Sequence, residues 1–458
     1  MQHVNSTEMN VNRRRIMQAG ASAAVGALTL ASATAQAGQN PARQPASASA
    51  SAKPKEARFW LTNVRLEDGF ERGAENQVLS TKTRQAHLLI ENGKIMSIAE
   101  SRPADGLPQY DMKQSLALPS FADMHIHLDK GHYGGPWKAA VPFVSVAQRI
   151  KEEEGFLVPF LADTPRKAKA LLDLSTSFGT THMRVQCNVD PVQGLRNKDK
   201  VLEALAAYRD KIDYDMVAFP QHGLLKHVKL MDEAMRNGFN IVGGLDPTSI
   251  DGDVERSLNT TMELAVKHNA PIDMHLHEPG AQGAAVISRL AKLTEDAGWQ
   301  GRVTVSHAYC LGQLKGNPIL DEVLSRMAAV KMQVISTAPI DTPAPPVKEL
   351  ASKGIMLHLA TDCINDHWSA YGSGSMIERA SRLGEINGWD DEFSLNRALK
   401  YITRGVTPLD DSGKVVWPKV GDNADLTFVA ASCSAELVAR RNPVDAVLRR
   451  GKASVWNI

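Results

Sequence analysis

Leu118-Pro119-Ser120-Phe121-Ala122-Asp123-Met124-His125-Ile126-His127-Leu128-Asp129-Lys130 is the stretch on which the fold turns. Its apolar opening reads as part of a strand over Ala117–Ile126, and the run ends on two histidines one residue apart. Successive side chains of a strand alternate faces, so His125 and His127 stand on one side and can share a metal ion. In a chain with 14 histidines a lone H-x-H decides little. Each imidazole taken singly reads as a hydrogen-bonded core residue.

Further strand-like runs follow at Thr180–Val185, Met216–Pro220, Ile241–Leu245, Ile272–Leu276, Val303–Ser306, Met332–Ser336 and Ile355–Ala360. Helix-length patterns lie between them, among them Lys200–Asp210, Ser257–His268 and Leu320–Val330. Eight strands alternating with helices describe an α/β chain folded as a (β/α)8 barrel of the TIM type. The chemistry-bearing residues then fall where such barrels keep their sites, at the C-terminal strand ends. His275-Leu276-His277 ends the fifth strand, His307 the sixth and Asp362 the eighth. As a set in this order, they outweigh the core-residue reading of each one.

β-rich pieces flank the barrel. Trp60–Leu66, Ala86–Ile90 and Lys94–Ile98 precede it, with Glu91-Asn92-Gly93-Lys94 as a hairpin turn signal. Ala424–Val429 and Ala446–Lys452 follow it. We expect a small β-sandwich-like domain built from both chain ends, residues 58–117 and 406–458, around a barrel over 118–405.

The N-terminus reads as an address. Asn12-Arg13-Arg14-Arg15-Ile16-Met17 precedes a small-residue apolar run from Ala19 to Ala33, and Ala35-Gln36-Ala37 offers a cleavage site. This order predicts a twin-arginine export signal over 1–37 and a periplasmic destination, with a flexible Ala/Ser/Pro/Gln linker over 38–57. The apolar run is short and rich in Gly, Ser and Thr, so no stable membrane span is expected after cleavage. Export by that route carries folded cargo, which is compatible with a metal loaded beforehand. Cys187, Cys310, Cys363 and Cys433 are widely spaced and form no C-x-x-C pair, which excludes a zinc ribbon or a thioredoxin-like motif. Free buried thiols are expected. With 52 basic and 51 acidic residues well mixed, no basic stripe for nucleic acid exists, and the expected partner is a small molecule. A homo-oligomer is expected as well.

Leu118–Lys130 resembles the first-strand motif of the amidohydrolase superfamily, in the branch that holds cytosine deaminase. Ala218-Phe219-Pro220-Gln221, His275-Leu276-His277-Glu278, Ser306-His307 and Thr361-Asp362 followed by Trp368 resemble that branch in the same order. Val242-Gly243-Gly244-Leu245-Asp246-Pro247 through Ser306-His307-Ala308-Tyr309-Cys310 is closer to N-isopropylammelide amidohydrolases. Gly421-Asp422-Asn423-Ala424-Asp425-Leu426 resembles the superfamily's turn into its small β domain, so the likeness runs from residue 58 to 458.

The resemblance implies one divalent ion, Zn2+ or Fe2+, on His125, His127, His275 and Asp362. Three imidazoles and a carboxylate do not choose between the two metals. The fourth strand ends Gly243-Gly244-Leu245-Asp246, without the lysine that bridges two metals in other members, so a mononuclear site is implied. Such an ion would supply hydroxide at neutral pH for attack on the ring carbon that bears the amino group. Asp362 would hold and deprotonate the attacking water and pass the proton to the departing nitrogen. Glu278 would protonate the ring nitrogen, His307 polarise the attacking oxygen, and Gln221 bond a ring carbonyl. Cys363 and Trp368 would line the substrate; Lys130, Asp246 and His277 read first as supporting residues.

The departures are specific. Cys363 stands where cytosine deaminase has a second aspartate, Gln186 where it has a histidine, and the ammelide-type relative has Asp where Glu278 stands. Three functions follow. The first is a hydrolytic deaminase of a small amino-substituted heterocycle, cytosine-like; the second is a hydrolase releasing a substituted amine from an N-alkyl triazine-type ring. The third is a non-catalytic periplasmic binder, against which the complete set of acid–base groups argues.

Overall fold

The computed structural model describes residues 52–458. The export signal expected over 1–37 lies outside the described residues, as does the linker except for residues 52–57, which form no helix or strand. Among the described residues no helix is long and apolar enough to cross a membrane.

Among the described residues, sixteen strands build two sheets. The first five are β1 Arg58–Arg72, β2 Val78–Glu91, β3 Lys94–Ala99, β4 Gln109–Asp111 and β5 Leu116–Pro119. The next eight are β6 Phe121–His127, β7 Thr180–Asn188, β8 Asp213–Phe219, β9 Ile241–Leu245, β10 Ile272–Leu276, β11 Val303–His307, β12 Gln333–Ser336 and β13 Leu357–Leu359. The last three are β14 Leu426–Val429, β15 Val444–Arg449 and β16 Lys452–Trp456.

β6 to β13 pair in parallel, each with its neighbour in the chain. The ring closes where Ile126 bridges Asp362, with Asp362 N–H donating to His125 C=O at 2.7 Å and His127 N–H to Asp362 C=O at 3.2 Å. The barrel is therefore closed by residues of the expected metal centre itself. Helices separate most of these strands and cover them with apolar faces. The helix Val254–Lys267, capped by the Asp253 side chain on Arg256 N, buries Leu258, Met262 and Ala265. Where β9 passes β8 the backbones approach so closely that a Cβ on Gly243 would lie 2.3 Å from the Ala218 carbonyl oxygen. Glycine there is a packing requirement.

The strand expected over Ala117–Ile126 is two strands. β5 ends at Pro119 in the small sheet, antiparallel to β14, and β6 starts the barrel at Phe121. Ser120 hands the chain over, donating its N–H to Asp425 C=O at 3.3 Å, while Phe121 N–H already bonds Gly179. Leu118 and Pro119, read from the sequence as barrel, thus pair in the small sheet. Its order is β16-β15-β14-β5-β1-β2-β3, with β4 also on β1. The sheet curls until Ile95 exchanges backbone hydrogen bonds with Gly421 and Asp422, at 2.7 and 2.9 Å. Phe59, Leu61, Leu88, Ile90, Ile95, Trp417, Leu426, Phe428 and Leu448 form the enclosed core. Each such side chain contributes about 1.5–3 kcal/mol by leaving water.

Two expectations change here. The run Ala446–Lys452 contains a hairpin turn at Arg450–Gly451, so Lys452 opens the edge strand β16. β1 and β2 extend well beyond their apolar halves, paired from Arg58↔Glu91 to Arg72↔Val78 with three shifts of register on the way. Backbone pairing carries this outer, polar part of the hairpin, and an apolar period does not report it. All four cysteines are free and buried.

Candidate metal centre and active site

The barrel's strand ends bring five groups together. His125 and His127 finish β6, His275 lies on β10, His307 ends β11 and Asp362 follows β13. The His125 ring lies 4.4 Å from that of His275, 5.1 Å from His307 and 5.5 Å from His127, centroid to centroid. Asp362 Oδ1 stands 3.4 Å from His127 Nε2 and 3.5 Å from His125 Nε2. Two overlapping sets, His125–His275–His307 and His125–His127–Asp362, keep their ligand atoms within 4.8 Å of one another. Both share His125, so among the described residues they make one centre. His307, read from the sequence as a catalytic group only, also stands within ligand range.

These imidazoles are buried, yet His125 Nε2, His127 Nδ1, both ring nitrogens of His275 and His307 Nδ1 have no hydrogen-bond partner. Orphaned buried polar atoms cost about 1–3 kcal/mol each. A divalent cation taking one lone pair from each imidazole and a carboxylate oxygen removes most of that cost, and the donor set fits one. Burial holds His275 and His307 well below the ordinary imidazole range and brings His125 down to about 4 against the pull of Asp362. All three are therefore neutral, as ligands must be. Burial alone would raise Asp362, but the hydrogen bond from His127 holds it well below the usual carboxylate range. β9 ends in Gly243, Gly244 and Leu245, so no lysine stands there to bridge a second ion.

Residues 162–455 match the model of the amidohydrolase family. The chain belongs to the amidohydrolase family. It is 40% identical to the Escherichia coli protein YahJ over 406 residues, 87% of each chain. Its structure superposes on an N-isopropylammelide isopropylaminohydrolase from Burkholderia multivorans with a TM-score of 0.77 and 30% identity, covering 88% of this chain and 99% of that one. A pterin deaminase from Rhizobium rhizogenes is 25% identical over 440 residues, 87% of this chain and 94% of its own.

Around this amidohydrolase centre the other expected residues divide into two groups. Glu278, two residues past β10, is almost fully buried; its Oε1 accepts from the backbone N–H of Thr248 at 2.5 Å and Ser249 at 3.1 Å. Oε2 is buried without a partner. Burial raises the Glu278 pKa, with the Thr248 N–H opposing. His277 lies beyond the end of β10, so the two H-x-H motifs differ. Its ring leaves the ligand set, takes Asp246 Oδ2 on Nδ1 at 2.8 Å and stacks on His307, centroids 4.4 Å apart. Burial disfavours charge on His277, but Asp246 outweighs it and raises the pKa.

The second group gathers on Lys130, which is 2% exposed. Its Nζ donates to Gln221 Oε1 at 2.5 Å, faces Asn188 Oδ1 at 3.5 Å and Glu153 Oε1 at 3.4 Å, and lies over the rings of Phe219 and Trp368. Burial works against this charge, but Glu153 and Asp129 hold the ammonium above its ordinary range. Phe219 in turn stacks on His275 at 4.0 Å. Trp368 Nε1 is a buried donor without a partner. Cys363 sits beside Asp362, Sγ 3.6 Å from Oδ1, its thiol pushed up by burial.

Glu153 comes from a helix over the barrel mouth, Val146–Phe160, capped by Ser145 on Gln148 N. Its neighbours Glu152 and Glu154 reach His367 and His222, each at 3.2 Å, and Ile150 packs with Phe219, Leu245 and Trp368. The sequence reading missed Glu153. Its one signal is a glutamate triplet, Glu152-Glu153-Glu154, which reads as a solvated charge run.

Proposed function

We propose that the chain is a metal-dependent hydrolytic deaminase of a small amino-substituted nitrogen heterocycle, cytosine-like in what it offers the protein. The unpartnered imidazole nitrogens packed beside Asp362 Oδ1 carry this reading. One divalent ion, Zn2+ or Fe2+, held by His125, His127, His275 and Asp362, would supply a water whose pKa falls from about 15.7 to about 7. Asp362 would orient that water and take its proton as the C–O bond forms and Glu278 protonates the ring nitrogen; the C–N bond would then break as the ring carbonyl forms, Asp362 giving its proton to the departing nitrogen, Glu278 taking back the hydroxyl proton, and ammonia leaving. Glu278 is held on Oε1 by backbone N–H groups and directs Oε2 to proton transfer; the raised pKa suits a carboxyl that must carry a proton to the ring nitrogen. His307 bonds the attacking oxygen. Lys130 occupies Gln221 Oε1, which leaves the amide's Nε2 donor for an acceptor on the ring, such as a carbonyl. Trp368 and Cys363 complete the wall. The pterin deaminase likeness supports release of ammonia.

A second reading, release of a substituted amine from an N-alkyl triazine-type ring, rests on the apolar cluster of Ile150, Phe219 and Leu245 with Val146, Ile250 and Trp368 against it. Cys363 is a weak donor and acceptor that behaves largely as a small hydrophobe, which suits an alkyl group. The Burkholderia relative supports this alternative. Purified protein given a panel of aminopyrimidines, aminopterins and N-alkyl aminotriazines separates the two. Ammonia is the expected product, substituted amines alone would replace the first reading with the second, and no hydrolysis of any ring would overturn both. The leader read over residues 1–37 motivates a periplasmic location, which cell fractionation checks.

A further inference from the structure

His125 is the residue shared by both ligand sets, and a neutral imidazole offers a metal the nitrogen that carries no hydrogen. Its Nδ1 faces Ser306 Oγ at 3.0 Å, and Ser306 Oγ donates to Asp273 Oδ1 at 2.6 Å. Asp273 lies two residues before His275 on β10, and its other oxygen takes Arg184 at 3.0 Å. Ser306 and Asp273 are fully buried. A hydroxyl has one hydrogen, and here the carboxylate takes it. Ser306 therefore meets Nδ1 with a lone pair, and Nδ1 must carry the ring hydrogen. Gln186 Nε2 lies 3.2 Å from the same Nδ1 and is a donor that would favour the opposite tautomer. The serine is nearer, and the same Gln186 nitrogen also faces Asp273 Oδ2 at 3.4 Å.

We propose that Asp273 and Ser306 are positioning residues that hold His125 with its hydrogen on Nδ1 and the lone pair of Nε2 turned into the metal centre. The inference rests on the metal reading given above. Without Ser306 the Gln186 amide is the remaining partner of Nδ1; the hydrogen moves to Nε2, the orphaned nitrogen beside Asp362, and blocks it. Arg184 also donates to Thr304 Oγ1 at 3.3 Å, so Thr304 is a hydroxyl of the same network and strand that does not touch His125.

The test loads full-length wild type, Ser306→Ala, Asp273→Asn and Thr304→Ala with Zn2+ and follows its release to a chelator. Ser306→Ala and Asp273→Asn should hold Zn2+ about 10–100-fold less well, the usual scale for losing the partner of a metal-binding histidine. Thr304→Ala should behave as wild type. Should Asp273→Asn fail to fold because Arg184 is stranded, Ser306→Ala decides alone. Unaltered release from Ser306→Ala, or an equal loss in Thr304→Ala, overturns the inference while leaving the metal reading intact. Wild type that takes up neither Zn2+ nor, in the same test, Fe2+ overturns both.

Discussion

The strand ends carrying His125, His127, His275 and Asp362 and the helix Val146–Phe160 above them serve the same site on different terms. The strand-borne groups are set by the barrel's own register, down to the closing hydrogen bonds between His125, His127 and Asp362. His125 Nε2, His127 Nδ1 and both nitrogens of His275 have no partner in the protein, which leaves lone pairs there for a ligand. The helix is instead held by three consecutive carboxylates to three different loops. Consecutive helical residues point about 100° apart, so Glu153 faces inward to Lys130 while Glu152 and Glu154 flank it. Their side chains differ accordingly: Glu153 is 0% exposed, Glu152 30% and Glu154 44%. The comparison separates a floor where chemistry is fixed by the fold from a cover whose attachment depends on one buried charge.

If the floor is the metal site, His275→Asn should strip the ion and abolish turnover while the barrel still folds, as read by elemental analysis and circular dichroism. Metal retained at the wild-type level would remove His275 from the ligands. Glu278→Gln keeps shape and hydrogen bonding but carries no transferable proton. It should retain the metal and lose at least about 10²-fold in rate, the scale of a lost general acid; wild-type rates would return Glu278 to a structural role.

The cover should respond more weakly and unevenly. Glu153→Gln takes from the buried Lys130 the nearer of the two carboxylates that hold its charge, leaving Asp129, and breaking a buried pair costs up to about 3–5 kcal/mol. Denaturant unfolding should show that loss, and hydrogen exchange should quicken along 146–160 ahead of the helix Val254–Lys267. Glu152→Gln and Glu154→Gln touch partly exposed pairs and should each change stability by less than about 1 kcal/mol. Equal effects from all three glutamates would erase the distinction between inward and flanking positions.

The same division decides what could be read from sequence. The first H-x-H was legible because both histidines belong to a strand, where alternation sets their faces. In the second only His275 was read as a ligand and His277 as a supporting residue, and β10 stops at Leu276 and leaves His277 to Asp246. The run through Ser120 looked like one strand because apolar periodicity reports burial, and burial continues while the chain changes sheets. His307 and Asp362 adopt positive φ, 68° and 60°, a conformation that no residue pattern announced. Glu153 was hidden for a related reason: its partner Lys130 is brought close only by the folded mouth, and local sequence shows only a charge run. Ser306 and Asp273 escaped notice because a serine and an aspartate on buried strands acquire meaning only when His125 stands between them and the centre.

Every step of the proposed chemistry depends on the ion. Metal content measured on the purified chain, with hydrolysis followed through chelation and reloading, tests it directly. About one Zn2+ or Fe2+ per chain is expected, with activity lost on removal and restored by one equivalent. Two ions per chain, or full turnover in metal-free protein, would contradict it.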